Sequence, residues 1–275
     1  MTRADALLAA CGLWLAAALF WGGLHPWTLV PPVALYGALA VDGIVRPASP
    51  WFLPLLTHGQ RSRPMVALTF DDGPDPEVTP GILDTLRRFD ARATFFLIGA
   101  KAEAHPELVR RIVAEGHEIG NHSHGHSRRI NLFATKRLQA EIEDADTTLR
   151  RLSGFAGPFP YRPPMGLKNP WLARVQRRLG LRVVTWSLHA RDTGRRSPAA
   201  IAEHVLGRVR PGDVVVMHDG HDLPDRRREN VAPAVPMILE GLAARGLSCV
   251  TLNRLLPLPS AGTGRGAPRQ GEEKA

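Results

Sequence analysis

Short apolar runs alternate with helical patterns along the chain from residue 66 to residue 252. Each run is rich in apolar or β-branched residues, which is typical of a buried strand. The predicted strands are 66–70, 93–98, 117–120, 159–162, 181–187, 213–217 and 248–252. The predicted helices are 78–89, 106–115, 134–152, a helix opened by Asn169-Pro170, 198–209 and 231–245. This alternation predicts an α/β fold of about seven parallel strands, arranged either as a barrel or as an open doubly wound sheet.

Two longer apolar runs precede the alternating region. Residues 6–24 carry no charge and are long enough to cross a bilayer as a helix, and residues 27–41 form a second run that Pro31-Pro32 interrupts. A removable signal peptide fits less well, because the apolar stretch is long and hydrophobicity resumes directly after it. We therefore expect an N-terminal anchor of one or two transmembrane helices in a bacterial-type inner (cytoplasmic) membrane.

The side of the membrane that the rest of the chain occupies stays open. If both runs cross, Arg3 lies on the same side as Arg46, and the positive-inside rule places the following domain in the cytoplasm. If the second run only lies in the interface, that domain is periplasmic. The expected organisation is a membrane anchor over 1–46, a linker over 47–63, a catalytic domain over 64–256 and a disordered tail over 257–275.

Composition narrows the choice of partners. Lys and Arg number 35 against 26 Asp and Glu, a formal net charge of +9, but the positive residues are scattered and do not alternate with aromatic residues. Nucleic acid is therefore not indicated, whereas a surface near anionic membrane lipid or phosphate fits the charge. Cys11 and Cys249 are too few and too far apart for a disulfide framework or a cysteine-rich metal site. No obligate protein partner is indicated.

Two adjacent carboxylates, Asp71 and Asp72, end the first predicted strand and are followed by the turn signal Gly73-Pro74. Neighbouring strand residues point to opposite faces, so both carboxylates serve one site only if the strand ends between them. Burying two like charges this close is costly unless a cation or a proton intervenes. The pair therefore favours a metal site, and a solvated turn is the alternative for such a pair taken alone.

A pair of histidines follows a later predicted strand. His122 and His126 are four residues apart in N-H-S-H-G-H, a spacing that presents two imidazoles on one side of a turn. His124 lies between them and is expected to point away. The spacing alone is a weak signal, but together with the carboxylate pair at another strand end it predicts a metal site. Two histidines and one aspartate leave a position open for water, as in catalytic sites.

Four motifs occur together and in order: T-F-D-D-G-P at 69–74, N-H-S-x-x-H at 121–126, R-P-P-M-G at 162–166 and V-V-V-M-H-D-G at 214–220. With them, the region from about residue 66 to about residue 252 resembles the polysaccharide deacetylase (NodB-homology) family. The resemblance implies a distorted (β/α) barrel, one divalent metal that is usually zinc, and hydrolysis of the N-acetyl group of an amino sugar.

The resemblance also implies roles for individual residues. Asp72, His122 and His126 match the metal ligands, and Asp71 matches the general base. The other matches are Arg162 to the arginine that holds the base ionised, His218 to the general acid, Asp192 to the carboxylate that tunes this histidine, and the Met165 backbone N–H to the oxyanion donor.

Two positions depart from the family pattern. Thr193 follows Asp192 where the family usually has Trp, and Met165 stands where an aromatic residue is common. The backbone donor survives the second change, because every residue except proline has an N–H group. Both changes alter the wall of the pocket, so the reaction is expected to be intact while the substrate stays open.

The expected function is that of a membrane-anchored, metal-dependent carbohydrate deacetylase. Its substrate would be an N-acetylated glycan, either a polymer or a lipid-linked amino sugar, attacked by metal-activated water with an Asp base and a His acid. The alternative from a different class is a non-catalytic, membrane-anchored glycan-binding or scaffold protein that retains the fold. A broken set of ligands, base or acid would favour that alternative.

Overall fold

Two long apolar helices, α1 (Arg3–Trp21) and α2 (Pro26–Val45), come first in the computed structural model, which describes residues 2–21, 25–221 and 230–256. Both helices are long and apolar enough to cross a membrane, and such helices near an N-terminus serve either as anchors or as signal sequences. Helix α2 continues through Pro31 and Pro32, where the sequence predicted an interruption. The predicted disordered tail, 257–275, lies outside the described residues.

A parallel sheet forms the centre of the rest of the chain. Its strand order is β3-β2-β1-β5-β4, and β6 pairs with β1. The strands are β1 (Met65–Asp71), β2 (Thr94–Leu97), β3 (Glu118–Asn121), β4 (Leu188–His189), β5 (Val214–His218) and β6 (Ser248–Cys249). All of these ladders are parallel. The central strands are continuous apolar runs because both faces of the sheet are covered.

The described residues pair into a six-stranded sheet, close to the predicted count of about seven strands. The predicted strand 159–162 is reduced to Tyr161, which forms single bridges to Asn121 and Val183. Pro160 precedes this residue and Pro163 follows two residues later, and prolines cannot donate to a ladder, so pairing does not propagate. The predicted strand 181–187 is likewise reduced to bridges at Val183 and Val184, and β4 begins only after it. The α/β class is confirmed, and the pairings do not establish a closed barrel.

Helices cover the sheet and bury its apolar side chains, with a core that includes Phe70, Phe95 and Ile82. The helices are α3 (Thr79–Arg88), α4 (Gly99–Ala104), α5 (Pro106–Ala114), α6 (Thr135–Ser153), α7 (Pro170–Leu179), α8 (Pro198–Leu206), α9 (Val231–Ala243) and α10 (Leu252–Leu255). Helices α4 and α10 were not predicted, because one or two turns show no clear apolar period.

The segment predicted as a linker, 47–63, packs against the sheet. Trp51, Phe52 and Leu53 are buried in one apolar cluster with side chains of α2 and α7. Leu56 forms a parallel bridge to Val184. The N–H of Ala4 donates a 3.2 Å hydrogen bond to the Trp51 carbonyl oxygen, so the start of α1 also contacts this segment.

Candidate active site

The first acidic pair lies where β1 ends. Asp71 is the last residue of β1, and Asp72 has a φ of 72°, in the left-handed region. This turn takes Asp72 out of the strand alternation, so both carboxylates reach the same end of the sheet. Both residues are buried. Residues other than glycine rarely adopt this backbone conformation, and such strain concentrates at functional sites.

Asp72, His122 and His126 form a buried group of three possible metal ligands. The Asp72 Oδ1 atom lies 3.5 Å from His122 Nε2 and 3.2 Å from His126 Nε2. The other ring nitrogen of His122, Nδ1, is 2.8 Å from the Arg162 carbonyl oxygen. Because a carbonyl can only accept, Nδ1 carries the proton, and in the neutral ring the Nε2 lone pair faces the carboxylate.

This donor set fits a divalent cation. An imidazole lone pair facing a carboxylate oxygen is repulsive unless a positive charge lies between the two atoms. Tetrahedral coordination with bonds of roughly 2.0–2.1 Å separates neighbouring donor atoms by about 3.3 Å. The measured separations of 3.5 Å and 3.2 Å are close to that distance. Two imidazoles and one carboxylate are also a donor set that suits zinc.

The loop after β3 holds the two histidines in place through short hydrogen bonds. The Asn121 Oδ1 atom accepts the Ser123 N–H at 2.8 Å, and Ser123 Oγ accepts the His126 N–H at 3.1 Å. Ser123 and His126 both have positive φ values, 66° and 45°. His124 packs instead against Gly99, where a Cβ would lie 2.6 Å from the His124 Nδ1 atom. As expected from the sequence, His124 lies outside the ligand group.

Asp71 pairs with Arg162 in the interior. The Arg162 Nη1 atom donates to Asp71 Oδ1 at 2.6 Å and to the Thr69 hydroxyl at 2.8 Å, and Nη2 donates to the Thr185 carbonyl at 3.1 Å. The guanidinium also lies 4.0 Å from the centre of the Phe96 ring. Burial lowers the pKa of Arg162, and the charge of Asp71 opposes that shift. The pair leaves Asp71 Oδ2 directed toward His122, 4.0 Å from its Nε2.

His218, the last residue of β5, lies beside Asp71 across the ladder. The buried Asp192 carboxylate accepts the His218 backbone N–H at 2.7 Å and its Nδ1 at 3.1 Å. Burial lowers the pKa of His218, but the charge and hydrogen bond of Asp192, together with the charges of Asp72 and Asp71, outweigh it and raise the pKa to about 9. The imidazole is therefore protonated at neutral pH.

Met165 lies in a tight turn of 3₁₀ type, Pro164–Gly166. Met165 and Gly166 have φ values of 57° and 67°, so two successive residues are left-handed. A Cβ on Gly166 would lie 2.5 Å from the Trp186 ring, so glycine is required here for space as well as for its φ. The Met165 side chain is 43% exposed, at the position where the pocket wall was expected to differ.

Comparison with known proteins identifies the family. A polysaccharide deacetylase family model matches residues 58–184. A peptidoglycan-N-acetylglucosamine deacetylase of Bacillus cereus is 36% identical over 194 residues, which cover 70% of this chain and 88% of that protein. This chain belongs to the polysaccharide deacetylase family. The expected family and enzyme class, a hydrolase, are thereby confirmed.

Further relatives of this polysaccharide deacetylase support the same family assignment. A chitooligosaccharide deacetylase of Sinorhizobium fredii is 38% identical over 169 residues, which cover 62% of this chain and 78% of that protein. The crystal structure of a peptidoglycan N-acetylglucosamine deacetylase superposes with a TM-score of 0.69 at 34% identity, over 73% of this chain and 92% of that chain. The family-model match includes the Asp71-Asp72 pair and both histidines, whereas Asp192 and His218 follow it.

Sequence reasoning missed several residues that support the site of this deacetylase. The Thr69 hydroxyl accepts a hydrogen bond from Arg162. Thr69 could have been predicted to lie near the site, because it is two residues before Asp71 and therefore on the same face of the strand. The Lys101 ammonium donates to the Asp72 carbonyl at 2.7 Å and to the His221 carbonyl at 2.8 Å. No local pattern marks Lys101, because its partners are backbone atoms of other elements.

Asp219 lies behind the turn that begins at Asp72 and continues through Gly73. It is fully buried, and the Thr79 hydroxyl donates to its Oδ2 atom at 2.6 Å. Burial raises the pKa of Asp219 to about 7. A Cβ on Gly73 would lie 2.2 Å from the carboxylate, so Asp219 packs directly against the turn that follows Asp72. This contact and the Thr79 hydrogen bond indicate a structural role for Asp219.

Proposed function

We propose that this chain is a carbohydrate N-deacetylase that removes the acetyl group from an N-acetylated amino sugar. The observation that supports this most is the convergence of three groups at one end of the sheet: the Asp72–His122–His126 group, the Asp71–Arg162 pair and the His218–Asp192 pair. Its relatives are named for peptidoglycan and chitooligosaccharides, so we propose a substrate of that glycan class.

Asp72, His122 and His126 would hold a divalent metal ion, and zinc suits the two nitrogens and one oxygen best. When bound, such an ion polarises the amide carbonyl and lowers the pKa of water. The buried position of all three ligands excludes bulk water, which strengthens electrostatic interactions there.

Asp71 acts as the general base. Its Oδ1 atom is occupied by the Arg162 guanidinium, and its Oδ2 atom faces the metal-ligand group, where the attacking water would lie. The guanidinium donates to the carboxylate at 2.6 Å and so restricts its rotation. Asp71 can therefore accept the water proton while the oxygen forms a bond to the acetyl carbon.

The oxyanion and the leaving group need separate donors. The backbone N–H of Met165 is the proposed oxyanion donor, an interaction worth about 3 kcal/mol in comparable sites. His218, protonated at neutral pH, delivers its proton to the amine nitrogen as the C–N bond breaks. Acetic acid and the free amino sugar leave, the acid loses its remaining proton to water or to the amine and becomes acetate, and the proton taken up by Asp71 balances the one that His218 loses.

We also propose that residues 1–46 anchor the catalytic domain, 64–256, to the inner membrane. The support is the length and apolar character of α1 and α2. A substrate at the membrane face would then be either a nearby polymer or a lipid-linked amino sugar. Incubating isolated membranes with each class and measuring acetate release separates the two, and a reporter fused to the C-terminus reports the side of the membrane.

The variant Asp71→Asn tests the proposal directly. It removes the base but leaves the three ligands in place, so we expect acetate release to fall at least about a hundredfold while metal content stays unchanged. Asp144→Asn, an exposed site on α6, is the matched control and should behave like the wild type. Undiminished turnover in Asp71→Asn would remove the assigned base. A wild-type protein that binds metal and glycan without releasing acetate would favour the non-catalytic alternative.

A further inference from the structure

Lys168 lies between the end of the second apolar helix and the turn that carries Met165. It is buried, although lysine is among the residues least often buried. Its ammonium donates to the carbonyl oxygens of Arg46 at 2.9 Å, Pro47 at 3.3 Å and Gly166 at 3.2 Å. The first two carbonyls directly follow α2, and the third belongs to the turn.

These contacts satisfy all the hydrogen-bond donors of the Lys168 ammonium. An ammonium has three N–H donors, and each has one carbonyl partner here. Burial lowers the pKa of Lys168 to about 8, with the charge of Asp42 opposing the shift, so the side chain stays mostly protonated at neutral pH. A cation just beyond the C-terminus of α2 also interacts favourably with the helix dipole.

Further hydrogen bonds join the same two regions. The Lys168 backbone N–H donates to the Ile44 carbonyl in the last turn of α2 at 3.4 Å. The Thr185 hydroxyl donates to the Pro47 carbonyl at 3.0 Å, and the Thr185 carbonyl accepts from Arg162. The end of α2 is therefore connected both to the Met165 turn and to the arginine that pairs with Asp71.

The Met165 turn needs such external support. Two successive left-handed residues, one of them not glycine, are unfavourable and persist only where surrounding contacts hold them. The Lys168 contact to the Gly166 carbonyl fixes the peptide group that follows these two residues. The Met165 N–H lies at the other end of the same short turn, so we expect loosening at Gly166 to disturb the alignment of that N–H.

We propose that Lys168 is a positioning residue, which couples docking of the apolar hairpin α1–α2 to the alignment of the Met165 N–H. The hairpin is then a structural part of the active site as well as an anchor. The coupling stands on the contacts of Lys168, and its catalytic consequence rests on the proposed role of Met165.

The test compares Lys168→Met with the matched control Lys136→Met, an exposed lysine on α6, in the full chain in lipid nanodiscs. Hydrogen–deuterium exchange is measured on peptides covering 42–50 and 163–168. We expect Lys168→Met to raise exchange in both peptides and to lower kcat roughly tenfold, with KM within about twofold. Lys136→Met should change neither quantity.

Several outcomes overturn the proposal. Exchange that rises in only one peptide, or in neither, contradicts the coupling, whatever happens to kcat. Raised exchange in both peptides with unchanged kcat contradicts the positioning role. Should Lys168→Met fail to fold, Thr185→Val removes one contact of the same junction, and it must raise exchange at 42–50 and at 163–168. If the wild type releases no acetate and Lys168→Met still raises exchange in both peptides, the deacetylase proposal is refuted and the coupling is not.

Discussion

Buried charge explains the arrangement of single residues in the site. Asp71 and Asp72 are adjacent and buried, and their partners differ: Arg162 pairs with Asp71, whereas Asp72 faces the Nε2 atoms of two histidines, where a bound cation would supply the positive charge. This need for partners is what the sequence predicted from two adjacent acids at a strand end. Lys168 could not be predicted in the same way, because two of its three carbonyl partners, Arg46 and Pro47, are more than a hundred residues away.

The pH dependence of Asp192→Asn tests the assignment of His218. A histidine acid must be protonated, so activity is lost as the pH rises through its pKa, which Asp192 and the nearby Asp72 and Asp71 raise to about 9. Without the charge of Asp192 the pKa falls, and the alkaline limb of the kcat/KM profile should move to lower pH by at least about one unit. The loss of activity should therefore be larger at pH 8.5 than at pH 6, and a uniform loss at both values would contradict the assignment.

Strands and helices were predicted where one pattern of apolar residues dominates. The strand predicted over 66–70 is observed as Met65–Asp71, and the helix predicted over 106–115 as Pro106–Ala114. The prediction fails where backbone chemistry overrides the pattern, as at 159–162, where prolines interrupt the ladder. The second apolar run is helical throughout as α2, which continues through Pro31 and Pro32.

Gly166→Ala tests whether the Met165 turn is as tightly packed as the structure shows. The added Cβ would meet Trp186 at 2.5 Å in a backbone with φ of 67°. The control Gly154→Ala has a similar φ of 70° but no atom within 4 Å of its Cβ. We expect the control to lose about 1 kcal/mol of unfolding free energy and Gly166→Ala to lose clearly more, together with most of its kcat. If chemical denaturation shows that both variants lose the same unfolding free energy, the close packing of Gly166 against Trp186 is contradicted.

At the scale of the whole molecule, the site draws together residues from distant parts of the chain. Asp71, His122 and His218 follow different strands, and their meeting was predictable because parallel strands end at the same edge of a sheet. The packing of 47–63 and the docking of α2 were not predictable, because they depend on tertiary contacts that leave no periodic pattern.

The proposed anchor predicts that the N-terminal helices stay in the finished protein. Mass spectrometry of protein extracted from membranes should find peptides of α1 and α2, and alkaline carbonate washing should leave the protein in the membrane pellet. The physical reason is that each helix is apolar over a length that spans the hydrocarbon core. A shorter, water-soluble product that lacks α1 would show that this helix is a signal sequence.

Metal content measures the central claim most directly. We expect the purified full chain, loaded with zinc and desalted, to retain about one ion per chain, and His126→Ala to retain far less, because two remaining ligands bind weakly. His124→Ala, from the same loop but outside the ligand group, should retain as much metal as the wild type. Equal metal content in wild type and His126→Ala, or none in the wild type, would contradict a metal site formed by Asp72, His122 and His126.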